Sequence, residues 1–218
     1  MKYSTGHTVY MNEFGVEVPS VTTILKILNK PALLHWANYL GFKRLNIKDV
    51  LEKSSNIGTL VHSMVYAYLM DRYFIFINTE LCNINTLKYY MDNFLTWRKT
   101  HDIKPIFAEK QITSLDFGGT IDLYCEFDNK KTIIDYKTSK SFYSSMFLQL
   151  AGYTMLLEEK GYIVEQVGIV LLHETDYKEK FISRDELSIY IENFKLVVKL
   201  FHSWFDLNAE IWKRKLYE

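Results

Sequence analysis

Two aspartates and a lysine are the residues of this chain best suited to chemistry: Asp122 in Gly118-Gly119-Thr120-Ile121-Asp122, then Asp135 and Lys137 in Ile133-Ile134-Asp135-Tyr136-Lys137. Carboxylate oxygens suit a hard dication such as magnesium or manganese, which keeps several waters and completes its shell from a phosphate. A lysine near the same phosphate can orient or deprotonate an attacking water and offset developing charge, and a metal lowers the pKa of the water bound to it. These are the parts of a centre for phosphodiester chemistry. The D-x-K pattern is short, however, and alone it fits an ordinary surface hairpin carrying an aspartate and a lysine.

Strands must position these groups. From Thr120 to Phe127 the side chains alternate, Ile121, Leu123, Cys125 and Phe127 on one face, Thr120, Asp122, Tyr124 and Glu126 on the other. That is the period of a half-buried strand. Asp128-Asn129-Lys130 signals a turn, and residues 132–137, rich in β-branched side chains, form a second strand with Asp135 and Lys137 on one face. Pairing as a hairpin brings Asp122, Asp135 and Lys137 to one end of a sheet.

Other segments add candidates. The stretch from Asn56 to His62 opens a helix in which Val61, Val65, Tyr68 and Leu69 share a face, with His62 at its start. An imidazole there is either structural or a further ligand for a borderline metal. Gln149 and Tyr153 lie four apart, so on a helix they project from one face. Glu109 shares a strand face with Phe107 and Gln111, and is either a surface carboxylate or a group that holds Lys137 or a metal-bound water.

The order Gly58-x-x-x-His62, Gly119-x-x-Asp122, Asp135-x-Lys137, Gln149-x-x-x-Tyr153 resembles the PD-(D/E)XK nuclease superfamily, in its RecB-like exonuclease branch, over residues 19–175. The likeness is strongest to mitochondrial genome maintenance exonucleases and small phage and bacterial exonucleases, and it includes a Ser-Val-Thr opening, here Ser20-Val21-Thr22, and a glutamate on the first core strand, here Glu109. The resemblance implies an α/β, restriction-endonuclease-like fold: a mixed central sheet flanked by helices, with an N-terminal helical subregion. It implies that His62, Asp122 and Asp135 bind magnesium or manganese, with the backbone carbonyl of Tyr136 as a fourth ligand. Lys137 is then the catalytic lysine, and Gln149 and Tyr153 support the site or the DNA backbone. The implied activity is a metal-dependent deoxyribonuclease, an exonuclease on single-stranded DNA ends in replication, recombination or repair, leaving a 5′-phosphate. A structure-specific or duplex endonuclease and a non-catalytic DNA-binding protein are the alternatives. DNA is the implied partner, with replication or recombination proteins beside it.

Many RecB-like nucleases hold an iron–sulfur cluster on four cysteines, whereas this chain has only Cys82 and Cys125. No cluster is expected. Cys125 falls on an apolar strand face and reads as core. No G-x-x-x-x-G-K-[S/T] pattern occurs, so the chain carries no motor of that kind.

The 218 residues, 48% hydrophobic, suit one domain with a sizeable core. Its parts are a hairpin and helical subregion (1–101), a catalytic core (103–175) and a packing helix (184–208). The first part turns at Asn12-Glu13-Phe14-Gly15, starts a helix at an N-cap Ser20, and continues with helices over 20–29, 32–45, 57–71 and 86–101. The core holds three strands, a helix near 144–160 and a strand at 165–173; on the packing helix Leu187, Ile191, Phe194, Phe201 and Trp204 recur at helical spacing.

The formal net charge is zero, so affinity for nucleic acid must come from a local basic surface, metal-bridged phosphate or stacking. Lys26, Lys30, Lys43, Arg44, Lys48 and Lys53 interleave with His35, Trp36 and Tyr39, either as a channel for a strand or as an amphipathic layer with core aromatics. The long helical stretch ahead of the strands favours threading of a free single-stranded end. The basic tail Trp212-Lys213-Arg214-Lys215 is either solvated or touches DNA. No apolar run of about eighteen residues and no secretory pattern occurs, so no membrane partner and an intracellular, cytoplasmic place are expected, or the host cytoplasm if the source is viral.

Overall fold

A computed structural model describes residues 8–28, 31–73 and 84–215, except for the side chains of 31–33 and 206–215. The chain opens with a small hairpin, β1 (Tyr10–Met11) and β2 (Glu17–Val18), then α1 (Val21–Ile24) with a 3-10 turn at Leu25–Ile27, α2 (Pro31–Phe42), α3 (Ile47–Leu69) and α4 (Ile84–Arg98). A five-stranded sheet follows, built from β3 (Ile103–Thr113), β4 (Gly118–Phe127), β5 (Lys130–Lys137), β6 (Gln166–Leu172) and β7 (Tyr177–Ser183). α5 (Ser144–Glu159) links β5 to β6, and α6 (Arg184–Lys215) closes the described chain.

Strand order follows chain order, and every neighbouring pair is antiparallel except β5 and β6. A parallel pair needs a crossover, and α5 supplies it. The turn between β4 and β5 is tight because Asp128 and Asn129 both adopt positive φ, 47° and 66°, matching the twist of the flanking strands. The fold class is that expected from the sequence, a mixed sheet with helices on its faces.

Two cores fill the spaces between sheet and helices. On one side Ile133, Val167, Ile169 and Leu171 pack with α1, α5 and α6; on the other Ile134, Tyr136, Val170 and Leu172 pack with α3 and α4. The central strands read as nearly continuous apolar runs because both faces are covered. β4 likewise is not half-buried: Tyr124 is as buried as Leu123 and Cys125, and its hydroxyl donates to the Ile163 carbonyl at 2.6 Å.

Several elements depart from the sequence expectation. α3 begins at Ile47, capped by Asn46 Oδ1 on the Lys48 amide, so Gly58 and His62 lie inside the helix rather than at its start. α3 and α4 form a layer of the sheet's own core, with Val61, Val65, Leu87, Phe94 and Trp97 buried against it. β7 has no counterpart in the expected core, because its charged sequence carries the signature of an exposed edge. Phe181 of that strand nevertheless stacks on Phe127 at 4.5 Å and lies over Gly168, where any Cβ would run into its ring. Trp204 is exposed, and α6 extends past 208 to Lys215. Ser20 does cap α1, its Oγ accepting from the Thr23 amide at 3.0 Å. Cys82, Lys30 and the 78–83 stretch lie outside the described residues, as do the side chains of the basic tail. Among the described residues, no helix is long and apolar enough to cross a membrane.

Candidate active site

The site is built on one irregular rung of the sheet. Ala108 faces Leu123 and Lys110 faces Ile121, so Glu109 and Asp122 lie opposite each other. Leu123 belongs to the core under α3 and α4, yet Ile121, two residues away, belongs to the core under α5. β3 changes face at the same place, since Ala108 packs on the α3 side and Ile112 on the α5 side. Glu109 marks the switch with φ 49°, a left-handed conformation uncommon outside glycine. Strict alternation predicts Glu109 beside Phe107 and Gln111, and Asp122 beside Tyr124. The switch instead turns both carboxylates toward α3.

α3 meets them with His62. Its Nδ1 lies 3.4 Å from Asp122 Oδ2 and 3.7 Å from Glu109 Oε1, and a ligand atom from each of the three residues falls within 4.8 Å of the others. Burial alone pushes the imidazole pKa down, but the Asp122 and Glu109 carboxylates outweigh it and hold the ring at about 10. For Asp122, burial pushes the carboxyl up; His62, Lys137 and the Tyr136 amide pull it below its ordinary value. That amide donates to Asp122 Oδ2 at 3.0 Å, which ties β5 to the trio through the Tyr136 N–H, while the Tyr136 ring is buried among Phe94 and Trp97.

Asp135 stands on the other face of β5, beside the trio and not within it. Its Oδ1 accepts from Gln149 Nε2 at 3.1 Å, and its Oδ2 is paired with Lys137 Nζ at 2.5 Å. Burial, reinforced by the charge of Asp122, raises the carboxyl to about 6 against the opposing pull of Lys137. Burial also disfavours charge on Lys137, yet Asp135 and Asp122 raise its pKa above the ordinary value, so it stands as an ammonium. Gln149 Nε2 donates as well to Tyr153 Oη at 2.8 Å, so the two α5 residues act as one bracket for Asp135. Tyr153 lies against Gly119, the glycine three residues before Asp122.

The sequence-derived candidates are thus gathered at the end of the sheet where β5 finishes: His62, Asp122 and Tyr136 on the α3 side, Asp135, Lys137, Gln149 and Tyr153 on the α5 side. Glu109, for which the sequence left a surface carboxylate open, completes the trio with His62 and Asp122. Its neighbours Lys110 and Gln111 give no hint of this, because the face switch depends on backbone conformation. Cys125 is buried, its Sγ 3.8 Å from the Thr132 carbonyl, and burial pushes the thiol up to about 12.

The donor set suits a dication. One imidazole nitrogen and two carboxylate oxygens converge, and a cation entering there would displace the proton that the two carboxylates favour on His62. Imidazole and carboxylate together accommodate manganese as well as magnesium. The trio opens into a cleft of about 440 Å³ lined by Gly58, Thr59, Ser63 and Tyr66 of α3 together with His62 and Glu109. Above α3, the aromatics of α2 are not core: Phe42 is 88% exposed and Tyr39 57%, with Lys43 Nζ 5.7 Å from the Tyr39 ring centroid.

No protein-family model matches the chain, and no curated protein matches it. Among solved structures it is similar to LHK-Exo in complex with dAMP, at 13% identity and TM-score 0.41 over 73% of this chain and 84% of that one. A second similarity is to the alkaline exonuclease LHK-Exo from Laribacter hongkongensis, at 12% identity and TM-score 0.39 over 92% and 93% of the two chains. A third is to a phage related exonuclease from Haemophilus somnus 129PT, at 15% identity and TM-score 0.38 over 70% and 82%.

Proposed function

We propose that this chain is a divalent-metal-dependent deoxyribonuclease that removes nucleotides from DNA ends, with single strands as its preferred substrate. The observation that carries the reading is the convergence of His62, Glu109 and Asp122 next to the Asp135–Lys137 pair. Magnesium or manganese, when bound, would polarise a phosphate and lower the pKa of a bound water. In this reading His62, Glu109 and Asp122 hold the cation, and Asp135 adds its carboxylate from the neighbouring face.

Lys137 presents ammonium protons to the phosphate or to the attacking water, which suits orientation and charge neutralisation better than proton removal. Gln149 and Tyr153 keep Asp135 in register with Lys137. The exposed Tyr39 and Phe42 beside Lys43 and Arg44 support single-strand preference, since bases stack on aromatic faces while phosphates meet cations. Work at DNA ends in replication, recombination or repair follows from that substrate.

The test is a time course on matched linear and circular single-stranded DNA, with magnesium or manganese, for the native chain, Asp135→Ala and Lys137→Ala. Loss of the linear form alone, absent in both variants, is expected. Cutting of circles would move the reading to an endonuclease, and absence of metal-dependent cutting would leave a DNA-binding protein.

A further inference from the structure

Beyond Lys137, the carboxyl ends of the parallel pair β5 and β6 open into a second, smaller cavity of about 220 Å³. Such a crevice is where open α/β sheets tend to receive ligands. Leu171 lines it, and around it stand Lys140 and Ser139 from the segment after β5, His173 and Thr175 from the β6–β7 turn, and Lys178 of β7.

The register across the sheet links this cavity to the reactive end. Lys137 lies opposite Leu171, and Leu171 opposite Lys178, so all three share one rung and one face. Two strand spacings separate the lysine backbones, about 10 Å. That is on the order of one or two backbone repeats of a DNA strand, whose adjacent phosphates lie farther apart than the ~3.4 Å stacking rise of the bases.

The lining selects the chemistry of the occupant. Lys140 has no ion pair or hydrogen bond among the described residues, whereas Lys178 lies 3.9 Å from Asp176, the one carboxylate in the lining. Asp176 is therefore answered by Lys178, and Lys140 remains as the unmatched charge. The hydroxyls of Ser139 and Thr175 already donate, to the Ser141 carbonyl at 3.3 Å and to Asp176 Oδ1 at 3.2 Å, so the lysines carry the recognition of charge. The volume falls below the ~300 Å³ at which drug-sized ligand sites begin, so it suits a phosphate group rather than a whole nucleotide.

We infer that this crevice is a phosphate subsite, in which Lys140 and Lys178 hold a backbone phosphate of the DNA strand one or two nucleotides from the bond being cut. The inference rests on the nuclease reading above and deepens it, because it fixes where the strand runs after leaving the metal trio. A phosphate in this place can also come from a released mononucleotide, and the experiment separates the two sources.

Binding of a labelled single-stranded oligonucleotide, measured by fluorescence anisotropy in EDTA across a salt series, is the direct readout. For the Lys140→Ala/Lys178→Ala double variant the affinity should fall about tenfold at low salt, and the slope of log affinity against log salt should flatten by about 0.7, the value for one lost single-strand phosphate contact. The Arg replacements at both positions should restore the slope, which a merely misfolded variant would not allow. Lys195→Ala, on the outer face of α6 and paired with Glu192, should behave as native.

If the source is a released mononucleotide instead, a nucleoside monophosphate should inhibit cleavage by the native chain and lose that inhibition in the double variant, while the oligonucleotide slope stays unchanged. That outcome, or a slope change equally large in Lys195→Ala, would overturn the backbone subsite. A native chain that cuts DNA alongside a double variant indistinguishable from it removes this inference alone. A native chain that neither binds nor cuts DNA removes the nuclease reading and the subsite with it.

Discussion

The ring of Tyr153 lies so close over Gly119 that a methyl group on residue 119 would come within 2.6 Å of Tyr153 Cε1. The glycine ahead of Asp122 is thus an opening in β4 that lets α5 descend onto the sheet and carry Gln149 to Asp135. Gly119→Ala should destabilise the fold by about 1–3 kcal/mol, the usual range for overpacking a filled core. Urea denaturation measures that loss. Cleavage should fall further than stability does, because Tyr153 is half of the Asp135 bracket.

The metal trio predicts a binding phenotype separate from catalysis. His62→Ala, Glu109→Gln and Asp122→Asn should each weaken manganese binding by at least about tenfold, since even outer partners of metal ligands cost that much. Calorimetric titration of manganese into each variant checks this. A Glu109→Gln variant that binds like the native chain would return Glu109 to the status of a surface carboxylate.

In EDTA the same histidine makes stability depend on pH. Its folded pKa, about 10, lies above the ~6.5 of an unperturbed imidazole. Its contribution is therefore fully present below about pH 6.5 and declines as pH rises toward 10. The difference in melting temperature between the native chain and His62→Ala should shrink over that window, and a difference that grew with pH would contradict the assignment of charge.

Cys125 should be chemically silent in the folded chain. Burial pushes its thiol up to about 12, and the thiolate is the reactive form. Iodoacetamide at pH 8 should leave the Cys125 peptide unmodified by mass spectrometry, and full labelling should follow addition of denaturant.

The α2 surface gives a prediction about substrate form. Tyr39→Ala with Phe42→Ala should reduce single-strand affinity by about 1–3 kcal/mol for each stacked base lost. Duplex affinity should change less. Equal losses on both substrates would move α2 from a stacking platform to a general electrostatic or structural role.

Much of this site is legible in the sequence. The β4–β5 hairpin follows from its turn residues and alternation, and Gln149 and Tyr153 meet because four residues on a helix make one face. Glu109 was only half visible. Alternation assumes a regular strand, and the paired change of face at Glu109 and Asp122 is a property of backbone dihedrals that residue type does not announce. The start of α3 was misplaced for a different reason, since residues 47–56 carry few apolar side chains and the helix there rests on its Asn46 cap. β7 escapes a hydrophobic pattern because Lys178, Glu179 and Lys180 are what an exposed edge requires.

β3 is the opposite edge of the same sheet, and among the described residues its outer side has no strand neighbour in that sheet. A long, regular edge of this kind invites the addition of a foreign strand. β3 is interrupted twice, by the register shift between Pro105 and Phe107 and by the left-handed backbone of Glu109 near the middle. The dihedral that aims the Glu109 carboxylate toward His62 and Asp122 thereby also spoils the template for edge-to-edge pairing, so replacing Glu109 by a β-branched residue with a regular strand conformation would remove one guard against aggregation as well as one carboxylate of the trio.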